Sequence, residues 1–311
     1  MMAALAVAVA AALELGVAEP PQRLHPVAWF GKAIAPLDRE WGSPKLVGGL
    51  GALALSLLAA APVAALVWTA GLASPWLAPL VAGLALFVST SLQMLLAEAR
   101  SVVATSATDL DAARESLRAL AGRAASGLSA GQVRSAAVES AAENLADGLV
   151  APLGAFVVGV LAGTGLSLAS TTALALGAGL AAWVKAVNTL DSMLGYRSKP
   201  VGWVPARLDD IVMWVPARAS ALALAVAARD PGALRRARQW LAGVPSPNSG
   251  WPMGTLSAAH GTKLEKPGVY TLAPDARLPT VERAQRAIRT VAVAGVLVYA
   301  AATLVVIAAW F

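Results

Sequence analysis

The stretch VESAAENLADGLVAP, from Val138 to Pro152, joins an acidic helical pattern directly to apolar sequence of the kind that crosses a membrane. Glu139, Glu143 and Asp147 recur every four residues, so on a helix they form one stripe that drifts by only about 40° per step. No lysine or arginine stands three or four positions from any of them. Like charges at this spacing cost roughly 0.2–0.5 kcal/mol per pair. The stripe therefore predicts either a solvated helix face or a site that takes a cation.

The composition predicts an integral membrane protein. Hydrophobic residues make up 58% of the chain and charged residues 14%, against roughly 25% charged residues in an ordinary soluble domain. There is no cysteine, which excludes disulfides, thiolate metal sites and cysteine nucleophiles. With only two histidines, any bound metal should be a hard ion held by oxygen. The net charge is +6, and in a membrane protein the positions of the basic residues indicate the cytoplasmic side more reliably than they indicate nucleic-acid binding.

We predict an all-α, polytopic membrane helical bundle that forms one domain over residues 1–311. The apolar run from Leu149 to Val187 would be about 58 Å long as a helix, against about 30 Å of hydrocarbon, so it should fold back near Gly163-Thr164-Gly165. A further apolar segment, 211–228, is interrupted by Pro216 and Arg218 and predicts a partial or re-entrant helix. The predicted spans are residues 1–13, 47–73, 77–97, 149–162, 166–187 and 288–310.

The basic residues predict the orientation of the chain. Four polar segments hold every lysine and arginine except Lys185, Arg218 and Arg289, and the tips of the two apolar hairpins hold none. Basic segments stay on the cytoplasmic side of a membrane, so we expect a multi-pass protein of the cell membrane with its polar segments and its active site in the cytoplasm. These segments are residues 14–45, 98–148, 188–210 and 229–287.

Polar clusters at the ends of the apolar segments are the candidates for chemistry, because the sequence has no P-loop, dinucleotide fingerprint, G-x-S-x-G or H-E-x-x-H motif. Lys185, Asn188 and Asp191 are spaced by three and would share one helix face. They predict either a ligand site or a snorkelling lysine followed by a helix cap.

Two further clusters contain basic or amide side chains beside proline. Arg218 follows an apolar run and is costly there unless it meets an anion, so it predicts a phosphate contact or a salt bridge to Asp209 or Asp210. His25-Pro26 and SPNSGWP at 246–252 are fixed by proline. Asn248 in the second of these predicts a ligand contact or a structural turn.

Across these residues the sequence resembles the integral-membrane adenosylcobinamide-phosphate synthases of cobalamin biosynthesis, the CobD/CbiB family. The matching motifs run in the family's order along nearly the whole chain: RLHPVAWFGK, LAEAR at 96–100, VESAAENLADGLVAPL, VKAVNTLDSMLGY, ARLDDIVMWVPAR and SPNSGWP. The early ELGVAEPPQ is looser than the family pattern, and residues 253–280 show no further recognisable polar pairs.

The resemblance implies a ligase that joins the carboxylate of adenosylcobyric acid to aminopropanol phosphate or ethanolamine phosphate, giving adenosylcobinamide phosphate. It implies ATP as substrate and Mg²⁺ as activator, with no bound prosthetic group. The implied partners are these substrates, the lipid bilayer and other membrane enzymes of cobalamin assembly, and no nucleic acid.

The polar clusters suit such a reaction, because activating a carboxylate with ATP needs Mg²⁺ on carboxylates and cations near the developing charge. The candidate catalytic residues, one of them a base for the attacking ammonium, are Glu139, Glu143, Asp147 and Asp191. The candidate magnesium ligands are Glu143, Asp147, Asp209 and Asp210. The candidate substrate-binding and phosphate-binding residues are His25, Asn144, Lys185, Asn188, Arg207, Arg218 and Asn248.

Two other classes of function are compatible with the same clusters. A transporter for an anionic corrinoid metabolite would line a central path with these cationic and amide groups, but the sequence shows no convincing internal repeat of the kind transporters have. A non-catalytic scaffold for a membrane pathway would lack activity altogether.

Overall fold

In the computed structural model the chain is almost entirely helical, which confirms the all-α prediction. The structure describes residues 1–17, 23, 25–121, 125–196 and 198–309. Within these residues the sheet content is one antiparallel hairpin, β1 (Leu264–Lys266) and β2 (Tyr270–Leu272). The helices are α1 (Met2–Gly16), α2 (Pro26–Ile34), α3 (Pro44–Ala73), α4 (Leu77–Ser89), α5 (Leu92–Thr105), α6 (Leu110–Ala121), α7 (Ala130–Leu145), α8 (Ala151–Gly165), α9 (Ser170–Leu194), α10 (Trp203–Val212), α11 (Trp214–Ala227), α12 (Gly232–Ala237), α13 (Gly250–His260) and α14 (Val281–Ala308).

The chain divides into two compact units. The first comprises Met1–Ser91, Asp147–Met213 and Tyr299–Phe311, and the second comprises Leu92–Ala146 and Trp214–Val298. The sequence prediction of one membrane domain did not contain this division, because each unit is assembled from segments that are far apart in the chain.

In the first unit α9 is the central helix, packing against α3, α4, α8 and α10. Its contact with α8 depends on small residues, since a side chain at Gly159 would meet the Gly177 backbone at 2.7 Å and one at Gly163 would meet Ala173 at 2.7 Å. Small residues let membrane helices approach closely. The predicted fold-back is present, but α8 continues through Gly165 and the turn follows it, so Gly163 serves helix packing and does not form the turn.

In the second unit α5, α6 and α7 pack together, and α13 packs against α7, α11 and α12. The hairpin strand β1 lies against α7. The all-α prediction therefore holds for α6 and α7 within the polar segment 98–148, whereas the strands within residues 253–280 were not predicted.

Five helical stretches of the described chain are long and apolar enough to cross a membrane: Pro44–Ala73, Leu77–Thr105, Ala130–Gly165, Ser170–Leu194 and Val281–Ala308. The helices α10 and α11 meet the same test only as a broken pair, in agreement with the predicted partial or re-entrant helix at 211–228. At 15 residues, α1 is apolar but shorter than these stretches, so its crossing stays a prediction.

Several predicted boundaries are displaced. The span predicted at 149–162 belongs to a helical stretch that begins at Ala130, and the span predicted at 77–97 extends to Thr105. The other predicted spans, 47–73, 166–187 and 288–310, correspond to α3, α9 and α14, and residue 310 lies outside the described residues. The sequence prediction ended each span where charge begins, but a helix continues through polar residues whose side chains find partners.

Candidate active site

Asp147 lies in a π-turn, Ala146–Val150, that connects α7 to α8. Such a single π-helical turn inserts an extra residue into the helical repeat and is frequent at functional sites. The four-residue acidic repeat therefore does not continue as a regular α-helical stripe through this point. Asp147 belongs to the first unit, whereas Glu139 and Glu143 belong to the second.

Around Asp147 the first unit gathers a cation, an amide and further carboxylates. Lys185 and Asn188 on α9 both interact with Asp147, the lysine by charge and the amide by a hydrogen bond. The Asn188 amide also donates to Asp209 Oδ1 on α10 at 3.5 Å. Asp191, one helical turn beyond Asn188, lies within electrostatic range of Asp147 and Asp209. We call Asp147, Lys185, Asn188, Asp191 and Asp209 the carboxylate cluster.

The sequence prediction that Lys185, Asn188 and Asp191 share one face of a helix is thus confirmed. The cluster also depends on Gly195, the first residue after α9, because any side chain there would overlap the Asp191 carboxylate. The Gly195 N–H donates to the Asp191 carbonyl oxygen at 2.7 Å and ends the helix.

Asp210 and Arg207 lie beside the cluster on α10. They form an ion pair of 3.2 Å in which the arginine side chain is 64% exposed. Pairs this exposed contribute little to stability. Asp210 is also within electrostatic range of Asp191. Both predicted residues are therefore at the edge of the cluster, where Arg207 is partly neutralised by its own helix.

His25 caps the N-terminus of α2, where its Nδ1 accepts a hydrogen bond from the Val27 N–H at 3.2 Å. Partial burial and then the nearby charge of Lys185 lower the pKa of His25. The neutral imidazole is the form that can accept this hydrogen bond. His25 therefore has a structural role as the N-terminal cap of α2 and also lies within electrostatic range of Lys185 in the carboxylate cluster.

A cavity of about 550 Å³ opens between α2, α3, α4 and α9 in the first unit. Lys185 is the one charged residue among the described residues that line this cavity. The wall hydroxyls of Ser89 and Thr189 already donate to carbonyl oxygens of their own helices. This wall suits hydrocarbon rather than a phosphate or an amide-rich corrin, so the carboxylate cluster is the better candidate for polar chemistry in the first unit.

The described residues contain no group of three or more aspartate, glutamate or histidine side chains arranged to hold a metal ion. Mg²⁺ commonly keeps several waters and binds through one or two carboxylates together with substrate phosphates. The oxygen donors of the carboxylate cluster fit that mode of binding and not a fully protein-made cage. The four predicted magnesium ligands divide between the units, since Glu143 lies in the second.

Glu139 has different surroundings from Asp147. It is fully buried on α7, and it accepts hydrogen bonds from Ser135 Oγ at 2.7 Å and from the Tyr270 hydroxyl at 2.6 Å. Ser135 in turn accepts the Glu265 N–H at 2.8 Å, so Glu139 attaches the hairpin to α7. For this residue the solvated-face alternative is wrong, because the hairpin covers it.

The hairpin has a second polar link to the start of α7. Gln132 Nε2 donates to Glu265 Oε1 at 3.0 Å, and Lys263 pairs with Glu265 at 3.1 Å. Partial burial would raise the pKa of Glu265, but the hydrogen bonds and the charge of Lys263 outweigh it and lower the pKa. Sequence reasoning missed Ser135 and Tyr270. Ser135 lies four residues before Glu139 and could have been found from that spacing, whereas Tyr270 could not.

Glu143 and Asn144 are both partly buried on α7. The Asn144 amide donates to the Ser140 carbonyl oxygen at 3.0 Å and to its hydroxyl at 3.2 Å. It therefore bonds its own helix in this structure. Their predicted roles in substrate and metal binding stay predictions.

Arg218 lies on α11 between two tryptophan rings, with its guanidinium 4.1 Å from the centroid of Trp214 and 5.3 Å from that of Trp251. It donates to Asn248 Oδ1 at 3.0 Å and to the Trp214 carbonyl oxygen at 2.8 Å. These acceptors are neutral oxygens, so they orient the guanidinium without cancelling its charge. Arg218 and Asn248, each predicted to bind substrate, are thus hydrogen-bonded neighbours in the second unit, and their roles in binding stay predictions. The i,i+4 spacing of Trp214 and Arg218 was a usable signal, whereas Trp251 was not foreseen.

Comparison with known proteins agrees with the resemblance read from the motifs. The chain matches the family model described as CobD/Cbib protein over residues 7–308. A probable cobalamin biosynthesis protein CobD of Methanothrix thermoacetophila is 35% identical, covering 92% of this chain and 91% of that protein. The corresponding protein of Methanothermobacter thermautotrophicus is 32% identical over 84% and 83% of the two chains.

A bacterial relative, cobalamin biosynthesis protein CobD of Klebsiella pneumoniae, is 32% identical over 86% of this chain and 84% of its own. No solved structure matches the chain. The family match extends over residues 7–308 and therefore includes both the carboxylate cluster and the surroundings of Arg218. The chain therefore belongs to the CobD/CbiB family of cobalamin biosynthesis proteins.

Proposed function

We propose that this protein is the ligase that forms an amide between adenosylcobyric acid and aminopropanol phosphate or ethanolamine phosphate, with ATP as the energy source. The observation that carries the proposal is the carboxylate cluster, in which three aspartates adjoin one amide and one lysine. One lysine does not balance three carboxylates, so the remaining repulsion among them favours binding of a further cation. The amine substrate is such a cation before it reacts.

In the proposed reaction a carboxylate oxygen of adenosylcobyric acid attacks the γ-phosphorus of ATP, and ADP leaves. The amine nitrogen then attacks the carbonyl carbon of the acyl phosphate, and phosphate leaves as the amide forms. The ammonium must first lose a proton, and an aspartate of the cluster accepts it. Asp147 and Asp191 are the proposed bases because both lie close to Lys185 and Asn188, which fix the geometry of the cluster.

Mg²⁺ would supply charge neutralisation of the ATP phosphates, held by one or two carboxylates of Asp147, Asp209 and Asp210. Lys185 adds a positive charge on the same helix face. Arg218 is proposed to bind a phosphate of ATP or of the amino-alcohol phosphate. Its planar fork suits phosphate oxygens, and the two tryptophan rings and Asn248 hold it in one orientation.

We also propose that the four polar segments face the cytoplasm of a cell-membrane protein, where ATP is available. Because the chain has no cysteine, a single cysteine at the exposed Ser129 can be probed with a membrane-impermeant thiol reagent, whereas Ser257 is fully buried and unsuitable for labelling. We expect no labelling from outside intact cells and labelling after the cells are broken, with Ser74→Cys in a hairpin tip as the externally labelled control. Labelling of Ser129→Cys from outside would contradict the orientation.

The decisive experiment is incubation of the purified protein with adenosylcobyric acid, ATP, Mg²⁺ and each amino-alcohol phosphate in turn. We expect ADP, phosphate and the amide product in equal amounts. Omission of the amine should abolish the amide. Absence of product with both amines, in a preparation that remains folded, would favour the transporter or scaffold alternatives, and uptake of corrinoid into vesicles would then distinguish these two.

A further inference from the structure

A buried acidic residue far from the carboxylate cluster in sequence has no part in the proposed reaction. Glu14, near the end of the apolar helix α1, is only 3% exposed. Its Oε2 accepts a hydrogen bond from the Thr90 hydroxyl at 2.8 Å, and Thr90 itself is 1% exposed. The Tyr299 hydroxyl of α14 lies 3.5 Å from the same Thr90 oxygen. Ionisable residues within apolar helices are costly and are usually retained for a function.

Thr90 is also the point at which the helical path breaks between α4 and α5. Its backbone is extended, with φ −104° and ψ 163°, so the N–H groups that follow cannot bond back to α4 in the regular pattern. The hydrogen bond to a carboxylate is the stronger kind. The Thr90 hydroxyl also lies 3.0 Å from the Phe87 carbonyl oxygen of its own helix. The contact with Glu14 adds a link to α1 and so helps to fix the residue at which the chain changes direction.

The next residue, Ser91, connects this break to the π-turn. Its N–H donates to the Gly148 carbonyl oxygen at 3.0 Å. A Cβ atom at Gly148 would lie 2.7 Å from Ser91 Oγ and 4.0 Å from Ser91 Cβ, so the two segments are in close contact. Gly148 directly follows Asp147, and both residues lie in the π-turn. All of these residues belong to the first unit.

We propose that Thr90, held by Glu14, is a positioning residue for Asp147. The hydrogen bond from Thr90 to Glu14 fixes the helix break, the break directs the Ser91 N–H to Gly148, and this bond holds the π-turn in place. The consequence for catalysis rests on the proposed function of Asp147, whereas the placement of the turn does not. The proposal thus gives a structural role to Glu14, the first residue of the stretch that departs from the family pattern.

The placement can be tested without any activity measurement, because the chain has no cysteine of its own. In the double variant Ser91→Cys/Gly148→Cys the two Cβ atoms would be about 4.0 Å apart, within the range that a disulfide requires. We expect rapid crosslinking under mild oxidation. Adding Thr90→Val should slow it several-fold, whereas Thr90→Ser, which keeps the hydroxyl, should restore the rate.

The matched control is Thr164→Val on the same double-cysteine background. The Thr164 hydroxyl donates only to the Val160 carbonyl oxygen of its own helix at 2.9 Å, so its removal should leave the crosslinking rate unchanged. Equal crosslinking in the Thr90→Val and Thr90→Ser backgrounds would overturn the positioning role. Failure of the double-cysteine variant to crosslink would overturn the contact itself.

In the cysteine-free enzyme Thr90→Val should raise the apparent constant for Mg²⁺ or for the amine about tenfold, the usual size of an effect transmitted through one supporting residue. Glu14→Gln, which keeps an acceptor oxygen, should have a smaller effect. Slower crosslinking together with unchanged kinetics would retain the placement and refute the proposed function of Asp147, so the two ideas fail separately.

Discussion

Glu139 and Asp147 stand eight residues apart in one acidic repeat, yet their surroundings differ. Glu139 is sealed under the hairpin in the second unit and accepts bonds from two neutral hydroxyl groups. Asp147, in the first unit, lies in a π-turn among a lysine, an amide and other aspartates. Acidic residues of one repeat thus stabilise the fold in one place and belong to the proposed reactive cluster in the other.

The two carboxylates differ in their hydrogen-bond partners and in the charges around them. Two short hydroxyl bonds satisfy Glu139, and a substrate could not approach it without removal of the hairpin. Asp147 has like charges nearby, so binding of a cation there is favourable. We therefore expect substitutions at Glu139 to change stability and substitutions in the carboxylate cluster to change catalysis.

The largest effect is expected for Glu139→Ala. The substitution leaves the hydroxyls of Ser135 and Tyr270 without their buried acceptor, and hydrogen bonds to charged groups contribute about 1.5–3 kcal/mol each. The free energy of unfolding should fall by about 3 kcal/mol or more, measured as a lower thermal midpoint in detergent. Tyr270→Phe should show a smaller loss in the same direction. A variant with unaltered stability and no activity would reverse the assignment and make Glu139 catalytic.

Asp147→Asn should have the converse effect. The amide keeps the size of the side chain but removes its negative charge, so the proposed cation site is weakened while packing is preserved. Activity should fall about a hundredfold, equivalent to about 2.7 kcal/mol, with an increased requirement for Mg²⁺ or amine and a thermal midpoint close to wild type. Asp38→Asn is a matched control, because Asp38 pairs with Lys199 at the exposed surface. Equal activity in the two variants would contradict the role of Asp147.

Much of this arrangement could be predicted from the sequence, and the exceptions have physical causes. The membrane class, the fold-back after Leu149 and the shared face of Lys185, Asn188 and Asp191 follow from hydrophobic length and helical periodicity. The π-turn could not be foreseen, since one inserted residue in the hydrogen-bond pattern leaves no mark on composition. The partnership of Glu139 with Tyr270 depends on a hairpin that returns from 131 residues further along the chain.

Arg218→Lys tests whether the second unit contributes chemistry as well as stability. Lysine keeps the charge but loses the planar fork and the ring stacking. We expect about a tenfold higher apparent constant for ATP or for the amino-alcohol phosphate, the lower end of what one charged hydrogen bond contributes. The measurement is the initial rate as each substrate is varied, with thermal stability recorded in parallel. Lower stability with unaltered dependence on both substrates would leave Arg218 a purely structural role.

The smallest effect is expected at Gly148, next to Asp147, and it tests whether the π-turn itself sets the cluster apart from Glu139. A Cβ atom at position 148 would meet Ser91 Oγ at 2.7 Å, which is too close, but Ser91 Cβ only at 4.0 Å, which is an ordinary contact. Because a hydroxyl can rotate away, Gly148→Ala should lower activity only about threefold, or roughly 0.6 kcal/mol. In Ser91→Ala/Gly148→Ala the close atom is gone and the backbone bond from Ser91 N–H to Gly148 remains available, so activity should return towards wild type. Recovery in the double variant can only arise if the two side-chain positions touch, since Ser91→Ala alone adds no group that could compensate elsewhere. If the double variant is instead as impaired as Gly148→Ala, the glycine is required for the backbone conformation of the turn, and the contact with Ser91 does not set the position of Asp147.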